Sequence, residues 1–129
     1  MMHTYRILLY LLSAASTTIT LGSCCYYGGH SFSDIHGRLV DEAIGDFCER
    51  YVPGNFIQGQ KVSICYSFPP NNSGNRVEME IINKSQGSQG TSKEECKEKL
   101  IHFHNACERG GEEERDGFFW RVDPQTGPC

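Results

Sequence analysis

From Ser33 the chain spaces Ile35, Leu39, Val40, Ala43, Ile44, Phe47, Cys48 and Tyr51 at three- and four-residue intervals. That spacing draws one apolar stripe and predicts a helix, capped by Ser33 or Asp34 and closed by Pro53-Gly54. Gly37 and Gly45 each weaken it by roughly 1 kcal/mol, so packing and a Cys48 bridge must hold it. The period then changes to two. Val62, Ile64, Tyr66 and Phe68 alternate with polar neighbours over Lys61 to Phe68, and Val77, Met79 and Ile81 do so over Arg76 to Ile82, as half-buried strands do. The P-P-N-N-S-G-N stretch between them suits a hairpin, and Asn55 to Gln58 adds a short strand. After a polar, Gly-rich surface loop over Gln86 to Thr91, Ser92-Lys93-Glu94-Glu95 reads as a capping box. The helix it opens carries Cys96, Leu100, Phe103 and Cys107 on one stripe and stops at Gly110-Gly111. E-E-E-R-D then reads as a solvated turn, Gly117 to Val122 as a last strand, and Asp123-Pro124 as the turn into Cys129.

The N-terminal residues do not fit this alternation. A charged start through Arg6, an apolar run Ile7 to Ala15 and small residues to Gly22 read as a secretory signal peptide over 1–22, leaving one domain at 23–129. The apolar run is shorter than the roughly 20 residues a membrane span needs. Leu21-Gly22-Ser23-Cys24 offers a second reading, a bacterial lipoprotein box. The seven cysteines all follow Gly22, so an extracellular chain of this size reads as disulfide-stapled, with at most three bridges and one thiol left over. Cys96 and Cys107 share a helix face but sit about 16 Å apart along the axis, beyond the roughly 7 Å Cα reach of a disulfide. Each must therefore bridge to a different segment, and Cys129 is expected near the second helix, for instance at Cys107.

With 12 Lys and Arg against 16 Asp and Glu, the formal net charge is −4 and no basic stripe exists, which argues against nucleic acid and anionic membranes as partners. Metal-site spacings are missing: there is no C-x-x-C, and His102 and His104 point to different sides of their helix. No cofactor is implied. Glu78, Glu80, Arg121 and His36 are the residues a small ribonuclease would need to gather, but they are ordinary for a polar domain. Aromatic residues are more telling, because sugar rings pack their C–H faces on Trp and Tyr while Asp and Arg bond their hydroxyls. Phe118 and Trp120 share one face of the last strand and Phe119 and Arg121 the other, so at most one of those faces is core. Asn71 and Asn83 lie in glycosylation acceptor sequences, N-N-S and N-K-S.

Three blocks, C-Y-Y-G-G at Cys25–Gly29, E-E-C-x₁₀-C-x-x-G-G from Glu94 to Gly111, and G-F-F-W-R-V-D-P-Q-T-G-P-C from Gly117 to Cys129, resemble the fungal glycan-binding family of the Y-three-like, inky-cap lectin type. The order of the cysteines Cys25, Cys48, Cys65, Cys96, Cys107 and Cys129 extends the resemblance over the mature chain and leaves Cys24 as the unpaired thiol. Phe118 and Trp120 exchange the family's usual places in the last block, and Gln125 replaces the usual Asn of its D-P-N turn. The resemblance implies an α+β, single-domain α/β/α sandwich with an antiparallel sheet, and a homodimer formed by extending that sheet. It also implies non-catalytic, lectin-like binding of complex glycans or glycoproteins. Side-chain chemistry and the family motifs together nominate Trp120, Arg121, Asp123, Tyr26 and Tyr27 as the sugar site. The alternatives are a secreted effector or toxin with a protein target and, behind it, the small ribonuclease.

Overall fold

The computed structural model describes residues 25–68 and 74–129; the expected leader at 1–22, Cys24 and Asn71 lie outside them. The first apolar stripe folds as α1, Gly37–Arg50, later than its spacing suggests. Ser31 closes a single 3-10 turn at Phe32–Asp34 by accepting from the Ser33 amide, and Ile35 follows in extended backbone, so the helix begins only after His36. Ser33 and Asp34 are therefore spent in the turn and do not cap α1. The second helix, α2, spans Lys93–Ala106, with Ser92 accepting from the Glu95 amide at its N-cap. Glu95 does not complete the reciprocal box; its carboxylate accepts from Thr91 Oγ1 at 3.2 Å.

Strands β2 (Lys61–Phe68), β3 (Asn75–Asn83), β5 (Gly111–Arg115) and β6 (Phe118–Thr126) form one antiparallel sheet in the order β2-β3-β6-β5. A second, two-stranded ladder pairs β1 (Asn55–Phe56) with β4 (Gln89–Gly90), so the Gly-rich loop supplies a strand. E-E-E-R, read as part of a turn, is an edge strand. The turn is Asp116-Gly117, both at positive φ, which is the twist a two-residue hairpin requires. A Cβ at Gly117 would strike the Gln89 side chain, whose amide donates to the Asp116 carbonyl. Asp123-Pro124 also continues β6 rather than ending it: Val77 opposes Pro124 and Asn75 opposes Thr126. Proline fits there because β5 stops opposite Val122, so among the described residues no strand pairs that side of β6.

Register sorts the sheet into two faces. Val77, Met79 and Ile81 of β3 and Phe118, Trp120 and Val122 of β6 are buried beneath α1 (Val40, Ile44, Phe47) and α2 (Leu100, Phe103), which makes one core. Among the described residues both helices lie on this face, as the Tyr66–Asp46 and Lys99–Glu113 contacts also show. The α+β class, the antiparallel sheet and the staples are as expected. Burying a large apolar side chain contributes about 1.5–3 kcal/mol, which makes this layer the main stabilising feature.

Disulfides join Cys25 to Cys107, Cys48 to Cys96 and Cys65 to Cys129. Cys96 and Cys107 do reach different segments, α1 and the N-terminal strand-like residue beside Gly111. The expectation for Cys129 is overturned. Because β6 runs on to Thr126, the tail reaches β2, where Cys129 bonds to Cys65 and its amide donates to Ser67 Oγ.

Candidate functional site

The face of the sheet away from the helices, which no helix or strand covers among the described residues, gathers Glu78 and Glu80 of β3, Phe119, Arg121, Asp123 and Gln125 of β6, and Glu112 of β5. Tyr26 joins them because the Cys25–Gly111 bridge and a bond from its amide to the Gly110 carbonyl lay this segment along β5. Gly110 itself packs closely against β6. Its φ is +77°, and a Cβ would strike the Val122 carbonyl. Three of the five nominated sugar residues therefore meet: Tyr26 donates to Glu112 Oε2 at 2.7 Å, Arg121 Nη2 donates to Asp123 Oδ2 at 2.6 Å, and Gln125 donates to Asp123 Oδ1 at 2.9 Å. Burial first, and then the bond to Glu112, pushes the Tyr26 phenol up to about 12. Burial works against the Arg121 charge, but contacts with Tyr26 and Asp123 outweigh it and raise its pKa.

This network is closed. Each of its strong groups already holds a partner within the chain, and to give one up costs the full desolvation of the group left behind. Trp120 is 1% exposed and packs at a tilt against Phe118 in the core, so its ring has no free face for a sugar. Tyr27 is fully exposed, and no hydrogen bond ties it to the cluster. The ribonuclease constellation does not assemble either. Glu78, Glu80 and Arg121 share the open face, whereas His36 precedes α1 on the other side of the sheet.

Asn83, the second acceptor-sequence asparagine, is turned inward by the fold. It is 1% exposed, its amide nitrogen donates to the carbonyls of Phe56, Ile57 and Gly87, and its oxygen accepts from the amide and hydroxyl of Ser85. The N-K-S sequence is an internal brace between the two sheets, and the folded chain does not present it as a glycan acceptor.

A different concavity was missed by sequence reasoning. A groove of about 470 Å³ runs between α2 and the β5–β6 hairpin. On its helix side Glu95, Glu98, Lys99 and His102 fall at i, i+3, i+4 and i+7, one stripe of α2. Glu113 and Arg115 lie two apart on β5 and so share the facing side, with Asp116 at the turn and Phe103 beneath. Its charges are only loosely paired: Lys99 and Arg115 each stand 3.8 Å from Glu113, and Arg115 stands 3.8 Å from Asp116. Those are ion-pair distances, too long for hydrogen bonds. One signal for the groove was present in the sequence, since Asp-Gly between E-E-E-R and F-F-W-R-V marks a hairpin and would have turned E-E-E-R into a strand. Among the described residues, no group of three or more His, Cys, Asp or Glu is placed to hold a metal ion.

The family model for Glycan binding domain Y3 matches residues 41–129. No curated protein matches the sequence.

Proposed function

The chain belongs to the Glycan binding domain Y3 family and is a glycan-binding, lectin-like protein, and from that premise we propose that it is a secreted lectin that holds glycans without transforming them. The family match over most of the chain is the observation that carries the reading. Three long-range disulfides support export to an oxidising compartment, in keeping with a leader at 1–22. Absence of catalysis is supported by the scatter of the nominated acid, base and arginine over two sides of the sheet.

A homodimer by sheet extension belongs to the same proposal. It would use β2, which among the described residues is an edge strand paired with β3, because the β5 edge is already occupied at Gly111 by Cys25 and borders the groove. A glycan array probed with the oxidised protein tests the lectin reading. Selective binding to related structures is expected, together with no change in the mass of bound glycans or added RNA on long incubation. A flat array from folded protein, or turnover of either polymer, would overturn it.

A further inference from the structure

The geometry points to the groove between α2 and the β5–β6 hairpin, and not the open sheet face, as the seat of the glycan, and to an uncharged sugar end as what it takes; this rests on the lectin reading above. A ligand bonds to groups that the protein has not already bonded to itself. Lys99 and Glu113 have side chains only 20% and 19% exposed, and they face each other across the groove at 3.8 Å. They are desolvated enough for a bond to count, and their mutual contact is an ion pair longer than a hydrogen bond. Adjacent sugar hydroxyls suit such a pair, because a carboxylate accepts from two of them while an ammonium or guanidinium donates to their oxygens.

Shape agrees with that chemistry. The volume, about 470 Å³, lies within the roughly 300–1,000 Å³ of small-ligand clefts and suits a short glycan end. The exposed His102 ring stands near Phe103, with centroids 6.2 Å apart, and offers the C–H face of a pyranose an aromatic wall. The walls are also pre-set. Ser92 and the Cys48–Cys96 bridge fix the start of α2, while Gln89 and the Lys84 amide fasten the Asp116-Gly117 turn through its carbonyls. Preorganised walls spare the ordering cost of binding.

Charge decides the class. Glu95, Glu98, Glu113 and Asp116 outnumber Lys99 and Arg115 two to one. A sialic acid, uronate or sulfate would bring a like charge into this field, whereas a neutral ring meets both donors and acceptors at no such cost.

The test takes the strongest neutral hit from the array and measures its affinity by calorimetry for the full oxidised protein and three variants. Glu113→Gln and Glu98→Ala in the groove are each expected to weaken binding at least tenfold, with melting temperature unchanged to within a few degrees. Glu80→Gln, on the open sheet face, is expected to leave affinity within twofold. Glu98 is exposed on α2, so its variant keeps the test sound if Glu113→Gln perturbs the fold. The acidic derivative of the same glycan should bind more weakly to the unaltered protein. Full affinity in both groove variants with a loss in Glu80→Gln would overturn the groove and leave the lectin reading standing. Tighter binding of the acidic derivative would overturn the neutral class, and no glycan bound by the unaltered protein would overturn both readings.

Discussion

On the open face of the sheet Arg121 lies 2.6 Å from Asp123 and Tyr26 lies 2.7 Å from Glu112, while around the corner in the groove Lys99 and Arg115 come no nearer than 3.8 Å to Glu113. The residue types are alike, and both sites rest on β5 and β6. What differs is whether the polar groups are spent. On the sheet face they complete one another and hold the N-terminal segment against β5, so their chemistry serves the fold. In the groove they are held apart by elements braced from outside, which leaves the same chemistry free for a ligand. Residue type alone therefore does not identify a sugar site; unspent hydrogen-bonding capacity inside a concave wall does.

The largest expected effect probes what lies beneath the sheet face. Trp120→Ala should cost about 3–5 kcal/mol of stability, as deletion of a buried large aromatic does, measured by denaturant unfolding. A Trp120→Ala protein that kept its stability but lost glycan would mean the ring is a sugar platform after all. Next, Asp123→Ala removes the acceptor of both Arg121 and Gln125 and should destabilise by about 1–3 kcal/mol while glycan affinity holds. Loss of affinity without loss of stability would reverse the roles assigned to the two regions.

Asn83→Ala should cost a similar 1–3 kcal/mol, since it leaves buried carbonyls without donors. Intact mass of protein from a glycosylating host should show no glycan at Asn83, and one found there would contradict the brace. In the groove, Arg115→Ala should cost about 1.4 kcal/mol of binding, a tenfold change, with little change in stability.

The smallest effect is alkaline. Tyr26 ionises near 10 in an unfolded chain but is pushed up to about 12 in the fold, by burial first and the Glu112 bond second. Both states keep the proton at neutral pH, so nothing is gained or lost there. Between pH 10 and 12 the unfolded state releases it and the folded state does not, so stability falls as pH rises through that window. Tyr66, raised further by burial and by its bond to Asp46, acts with the same sign. Tyr26→Phe should flatten part of the fall, and tyrosinate absorbance should show one fewer late-ionising phenol. An unchanged titration would mean the Tyr26–Glu112 bond is absent in solution.

Much of the fold was legible because its signals are local and periodic. The two-residue alternation gave β2 and β3, and the S-K-E-E cap gave the start of α2 to the residue. What escaped depended on pairing between distant segments. Pro124 continues β6 only because β3 is long enough to hold it, and Cys129 reaches Cys65 only because that strand continues. The nominated site was half legible. Tyr26, Arg121 and Asp123 do meet, since alternation along β6 puts Arg121 and Asp123 on one face, but Trp120 went to the core by that same alternation. The groove stayed hidden because Glu95, Glu98, Lys99 and His102 look in sequence like any solvated helix face; only the hairpin opposite makes a wall of them.

The most direct test of the contrast is an amide-resolved NMR titration of the ¹⁵N-labelled, oxidised protein with a neutral array hit. Shift changes are expected to concentrate at Glu95 to Phe103 and Glu113 to Gly117, with Tyr26, Glu80, Arg121 and Asp123 unmoved. Changes centred on those four residues, with the groove silent, would contradict the contrast.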